Sequence, residues 1–278
     1  MTHSSTTTPT SQSPAQRKPR ITIRLSRWTL SFSAVDPQAE NKVAFTPYTM
    51  KGGMSAAANL REALKSHIPA AAGQSNATVM MDAPVLMVPA ETFASSTRTL
   101  LYAHAFPSHA KDAVMHTVLP TLGAVAVFGV NKDVRTVIAD NFASATYMPV
   151  CSPVWSHLYR RSFTGPRRKL YGYCHDKKAE VFSFSHNRFR FCNTFDANNQ
   201  RDIVYFLLYV WKQTGMDQQR DELHIVGDIP EAAETLATLR KYVRNAYAIN
   251  PAADFNRSPV TRIEGMPYDL MTLYAKGR

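Results

Sequence analysis

Apolar and polar side chains alternate along residues 169–175, 179–184 and 188–195, the period of half-buried strands. A long apolar stretch, 201–214, comes next and predicts a helix. Ile203, Phe206, Leu207 and Val210 take one side of it, and Tyr205, Leu208, Tyr209 and Trp211 take the others. A helix without a wet face is expected between layers, as core between two halves of the chain. Gly215 supplies its stop. Residues 222–226 form a compact strand that ends in Gly227-Asp228. The order is β-β-β-α-β.

A fainter copy of that order opens the chain about 148 residues earlier. Ile21, Ile23 and Leu25 alternate with Thr22, Arg24 and Ser26; Arg27-Trp28 predicts a tight turn. Leu30, Phe32 and Ala34 start a second strand, which Asp36-Pro37 ends. Val43, Phe45 and Tyr48 mark a third. Ser55 caps a helix to about His67 with Ala57, Leu60, Ala63 and Leu64 on one stripe, and 78–81 is a short buried strand after a loop over 69–76.

Between the copies, Pro89-Ala90-Glu91 opens an expected helix to about His104 with Phe93, Leu100 and Leu101 inward. Residues 113–119 and 122–130 pair as strands, the second central, and Asn131 caps a helix to Phe142. Residues 152–162 form one more helix through Val154, Trp155 and Leu158. After the second copy come a helix from Pro230 to about Val243, a strand over 247–249, a loop over 251–259 and a closing helix over 268–274. Strands and helices in this alternation build sheets covered by helices.

An antiparallel three-strand meander, a crossover helix and a parallel strand make a ribonuclease-H-like unit. Two in tandem define the actin-like ATPase architecture. The expected fold is therefore α/β, with two tandem ribonuclease-H-like domains of βββαβαβα type. The expected boundaries are a tail over 1–20, a first domain over 21–163 and a second over 164–278, its last helix packing back on the first. The tail is Ser, Thr, Pro and Gln without apolar periodicity, so it is expected to be disordered.

At 278 residues, 45% apolar and 19% charged, the chain reads as globular. Its longest apolar run, 203–211, is too short to span a bilayer, and no secretory signal is visible. Cys151, Cys174 and Cys192 make no framework, so a cytoplasmic location is the expectation. The formal charge of +11 gathers in two places, Arg17, Lys18, Arg20, Arg24 and Arg27, then Arg160, Arg161, Arg167, Arg168 and Lys169. These could meet nucleic acid or an anionic membrane, or be a basic tail root and a solvated linker. No nucleic-acid motif favours the first.

Four strings carry a resemblance: Ile23-Arg24-Leu25-Ser26, Asn193-Thr194-Phe195-Asp196, residues 205–212 with Gly215, and Glu264-Gly265-Met266-Pro267-Tyr268-Asp269-Leu270. With them the chain resembles the DUF3822 family of Bacteroidetes proteins of unknown function, over 21–273. The resemblance implies an actin-like ATPase fold close in style to cell-division and pilus-assembly members. In such ATPases an Asp and a Gly in the first β-turn of each half hold magnesium and phosphate, because backbone N–H groups must approach phosphate and a carboxylate must hold the cation. The matching turns here are Ser26-Arg27-Trp28, with neither residue, and His175-Asp176-Lys177-Lys178, with a carboxylate but no glycine. The adenosine-binding strand of the family ends in two glycines, whereas here Gly227 is followed by Asp228.

All three weakened motifs point to a non-catalytic binding or scaffold module without catalytic residues, metal or cofactor, and with an unknown protein partner. The alternatives are a divergent ATPase holding Mg-ATP through Arg27, Asp176, Lys177, Gly227 and Asp228 in the cleft, and an adaptor working through the basic clusters. Elsewhere, His104 and His109 lack metal-ligand spacing. Asp196 and Asp202 read as caps of the apolar helix. Cys174 and Cys192 are expected on neighbouring strands, close enough to approach each other.

Overall fold

A computed structural model describes residues 20–67, 76–163, 166–185 and 188–275. The expectations for residues 1–19, the 69–75 loop, the turn at 186–187 and Gly165 at the boundary lie outside the described residues.

Alternation at the start of the chain builds β1 (Arg20–Leu25), β2 (Leu30–Val35) and β3 (Val43–Tyr48), a meander, followed by α1 (Ala56–His67) and β4 (Asn76–Met81). The middle of the chain forms β5 (Val85–Pro89), α2 (Arg98–Ala105), β6 (Ala113–Leu119), β7 (Ala124–Val130), α3 (Lys132–Asn141), β8 (Ser144–Pro149) and α4 (Ser152–Ser162). A second meander, β9 (Lys169–His175), β10 (Lys178–Ser185) and β11 (Arg188–Asp196), leads into α5 (Gln200–Gln213) and β12 (Glu222–Gly227). The chain closes with α6 (Ala232–Arg240), β13 (Asn245–Ala248), α7 (Pro251–Asp254) and α8 (Tyr268–Ala275).

Two five-stranded sheets result, ordered β3-β2-β1-β4-β8 and β11-β10-β9-β12-β13. Each runs antiparallel through its meander and parallel beyond it. The same strand order thus recurs in both. A three-stranded sheet, β5-β7-β6, stands apart, with β7 central and buried at every residue.

Period-two alternation sends successive side chains of β9 to opposite faces. Leu170 and Cys174 join the core beneath α5, while Tyr171 and Tyr173 join a core shared by both large sheets. That shared core contains Val43 and Met80 from the first sheet, Phe182 and Val226 from the second, and Trp155, Leu158 and Leu270 from α4 and α8. The tyrosine hydroxyl of Tyr274 in α8 reaches Thr22 and Ser33 of the first sheet, at 3.1 and 3.0 Å.

Several expectations are corrected. The helix from Pro89 does not start until Arg98, because 85–89 pairs with the otherwise open edge of β7. Leu100 is 74% exposed, and the buried residue of α2 is Tyr102, whose hydroxyl donates to the Pro84 carbonyl at 3.2 Å. Helix α5 does have a wet face and is not core between halves. Ile203, Leu207, Val210 and Trp211 are buried under the second sheet alone, while Tyr205 and Tyr209 stack on each other in solvent, 6.2 Å apart. Tyrosine tolerates this because one end of its ring is polar. Helix α6 ends at Arg240 rather than Val243, and a short helix occupies part of the expected loop at 251–259. Strand β8, which pairs with β4, had no counterpart in the sequence reading.

Gly227, expected in the cleft, ends β12 with φ +99°. A Cβ there would sit 2.1 Å from the Cys174 carbonyl oxygen and 2.8 Å from the Tyr173 ring. Close approach of two backbones therefore requires the glycine. Gly227→Ala is expected to destabilise the protein by about 2 kcal/mol or more, from left-handed strain plus the clash. An unchanged urea midpoint would refute this.

Candidate functional site

The two matching turns meet directly. In the first, Ser26 N–H donates to the Thr29 carbonyl at 2.9 Å, and Ser26 Oγ accepts the N–H groups of Trp28 at 3.0 Å and Thr29 at 2.8 Å. Two amides of this turn, those of Trp28 and Thr29, are thus engaged by its own serine side chain. The second turn links β9 to β10 through Asp176 and Lys177, with φ of 47° and 60°. Two left-handed residues make a type I′ hairpin, which ordinarily selects Asn-Gly.

Asp176 tolerates that backbone because its carboxylate is clasped. Arg24 Nη2 donates to Oδ2 at 2.6 Å, and Ser26 Oγ and Thr29 Oγ1 donate to Oδ1 at 2.6 and 2.7 Å. His175 Nδ1 adds a contact to Oδ2 at 3.1 Å. Arg24 in turn donates through Nε to both oxygens of Asp269 on α8, at 2.9 and 2.8 Å, and through Nη1 to Thr29 Oγ1 at 2.7 Å. Tyr173 donates to Asp269 at 2.8 Å. Two hairpins and the last helix are joined through one arginine. Arg24, Asp176 and Asp269 have side chains only 3%, 2% and 0% exposed.

Burial opposes every charge here, and the partners prevail. Burial lowers the Arg24 pKa, but Asp269 and Asp176 raise it well above its ordinary value. Asp176, despite burial, is held far below the carboxylate range by His175 and Arg24. Burial pushes His175 toward neutrality, yet Asp176, Glu180 and Asp82 bring it up to about 9. Glu180 is held low by His175 against its own desolvation. Burial, reinforced by Glu180, pushes the thiols of Cys151 and Cys192 up.

Two cavities flank the clasp. One, of about 700 Å³, is lined by Trp28, Phe45, Tyr48, Tyr173, Tyr268 and the Gly227-Asp228 end of β12, among others. The other, of about 680 Å³, includes Arg27, Asp82, Lys177, Lys178, Glu180 and Cys192. Trp28 lines both. The expected cleft residues are therefore near one another but in different employment. Arg27 and Lys177 lie 5.0 and 4.0 Å from the Trp28 ring centroid, and Lys178 pairs with Asp82 at 2.8 Å. Asp228 is exposed at the cavity wall, its N–H bonded to the Cys174 carbonyl. The residues do not fit Mg-ATP: the only carboxylate in the two turns has both oxygens engaged, and the N–H groups of Ser26, Trp28 and Thr29 are satisfied within the first turn.

Sequence reasoning missed Arg24 and Asp269 as partners, although both fell within the distinctive strings. A buried polar residue inside an alternating strand was the available signal. The basic stretch is also dispersed. Arg161 pairs with Asp254, Arg168 with Asp221 at 2.5 Å and Arg167 with Glu222 at 3.5 Å, while Lys169 is buried. Cys174 and Cys192 are not on neighbouring strands, since β10 lies between them. Cys192 instead donates to Glu180 at 2.8 Å.

Comparison with known proteins gives the family and the fold. A family model described as a protein of unknown function (DUF3822) matches residues 10–246, so the chain belongs to that family. The 264–270 string lies beyond the matched span. A Bacteroides thetaiotaomicron protein with an actin-like ATPase fold and unknown function superposes with a TM-score of 0.77 at 24% identity, over 89% of this chain and 97% of that one. A chain of the PilM–PilN type IV pilus biogenesis complex superposes with a TM-score of 0.54 at 11% identity, over 86% and 90%. No curated protein matched the sequence. The chain shares the actin-like ATPase fold. Among the described residues, no helix is long and apolar enough to cross a membrane.

Removing one partner of a buried ion pair strands the others. Arg24→Met should cost about 3–5 kcal/mol, and Arg24→Lys should not restore it because an ammonium cannot reproduce the fork. Chemical denaturation measures both, and a loss below about 1 kcal/mol for R24M would refute the clasp. His175 gives a pH signature in buffer containing EDTA. Its folded pKa lies above the unfolded value of about 6.5, so its stabilisation is complete below pH 6.5 or so and disappears as pH rises through about 9. The expected loss is about 3 kcal/mol across that window, and His175→Gln should flatten it.

Proposed function

We propose that this protein is a non-catalytic binding or scaffold module of the cytoplasm, built on two tandem ribonuclease-H-like domains over 21–163 and 164–278. The recurrence of one strand order in both large sheets supports the two-domain reading. The carrying observation is the Asp176 carboxylate. Arg24, Ser26, Thr29 and His175 occupy it where a magnesium-binding carboxylate would have to be free. Chemistry that depended on opening this clasp would leave buried charges unpaired, a cost of several kcal/mol.

Binding falls to the aromatic cavity beside the clasp, whose size suits a small ligand or an inserted side chain. A chain of the same fold works inside the PilM–PilN complex, in keeping with a scaffold role. The three free cysteines suit a reducing compartment.

Trp28 is 45% exposed at the cavity wall, whereas Trp155 and Trp211 are buried, so it reports on this region. Millimolar Mg-ATP is expected to leave both the melting temperature and the Trp28 fluorescence unchanged, since a ligand selective for the folded state would raise the former. A saturable change in either, lost in Trp28→Phe for the fluorescence, would overturn the reading in favour of a nucleotide-binding cleft.

A further inference from the structure

Behind the clasp, His175 turns its second nitrogen toward a group of donors that the clasp does not use. Cys151 precedes α4, His175 ends β9 and Glu180 lies on β10, and all three are buried. One ligand atom from each, Sγ, a ring nitrogen and a carboxylate oxygen, falls within 4.8 Å of the others. Cys192 on β11 lies against the same carboxylate, 2.8 Å from Glu180 Oε1.

We propose that Cys151, His175 and Glu180, with Cys192 as fourth donor, form a binding site for a divalent cation of the zinc class. Mixed thiolate, imidazole and carboxylate ligation is zinc chemistry; three donors already stand together, and Cys192, which lies outside that group but bonds to Glu180, would close the site by moving in as the fourth. The spacing fits. Tetrahedral bonds of about 2.3 Å to sulfur and about 2.0 Å to nitrogen put those atoms about 3.5 Å apart, and Cys151 Sγ lies 3.5 Å from His175 Nε2. Glu180 Oε2 is 3.8 Å from the same nitrogen, near the about 3.4 Å that two such bonds give.

Two further observations point the same way. His175 Nδ1 is held by the Asp176 carboxylate, which fixes the ring and presents Nε2 as a ligand, the outer-shell arrangement of metal-bound histidines. The buried carboxylates of Asp176, Asp269 and Glu180 also outnumber the buried Arg24 guanidinium. A divalent cation would balance that charge. Glu180 and Cys192 line the cavity that contains Lys177 and Lys178, giving the ion a route in. Bound there, it would staple the segment after β8 to the second sheet.

The test uses the full chain. After EDTA treatment and desalting, zinc is expected to bind at one equivalent and raise the melting temperature, and cobalt(II) should produce a thiolate charge-transfer absorption. Cys151→Ser should abolish or strongly reduce that absorption, and Glu180→Gln should weaken cobalt binding tenfold or more. Cys192→Ser reports on the fourth donor, with a weakened or altered cobalt spectrum expected. Wild-type protein that takes up no zinc, or cobalt spectra and affinities unchanged in C151S, would overturn the proposal. Should C151S fail to fold, the wild-type cobalt titration decides alone, and absence of the thiolate band overturns the site.

Discussion

A carboxylate removed from water must find its full complement of donors or give up its charge, and at Asp176 that requirement organises the centre of the molecule. Its donors come from the first hairpin, through Arg24, Ser26 and Thr29. Arg24 needs a second counter-ion, which Asp269 provides from the last helix. Satisfying one desolvated group therefore draws together segments almost 250 residues apart. The apolar core shared by both large sheets surrounds this network, which ties the two hairpins and the last helix together.

The same network engages the groups that a phosphate site would use. A phosphate site needs free amides, a free carboxylate and space between the turns. Ser26 Oγ occupies two amides of the first turn, and the clasp occupies the carboxylate. Two cavities lie to either side of the clasp. A non-glycine I′ turn at Asp176 and Lys177 is conformationally costly on its own, and clasping the aspartate offsets that cost.

Much of the architecture was legible because it is local. Period-two alternation located both meanders, Asn131 and Gly215 marked a helix start and a helix stop, and the recurrent order implied a duplicated plan. The errors were non-local. Residues 85–89 became a strand because a partner strand lay nearly 40 residues downstream with an open edge. The tyrosines of α5 went to solvent because no layer arrived to cover them. Arg24, counted as part of a basic cluster, proved to be the most buried cation of the site, and charge counting has no means of telling the two apart.

The sequence by itself determined the two meanders, the helix and strand that follow each, and the residue types in the turns between their first strands, since those depend on residue types at short spacing. Only the tertiary structure decided what those turn residues meet. Pairing Arg24 with Asp176 and Asp269, and bringing Cys151 to His175 and Glu180, depends on how two sheets and a terminal helix close around a shared core. Such contacts leave no period in the chain, because the energy that fixes them, the cost of an unpaired buried charge, exists only once water has been excluded.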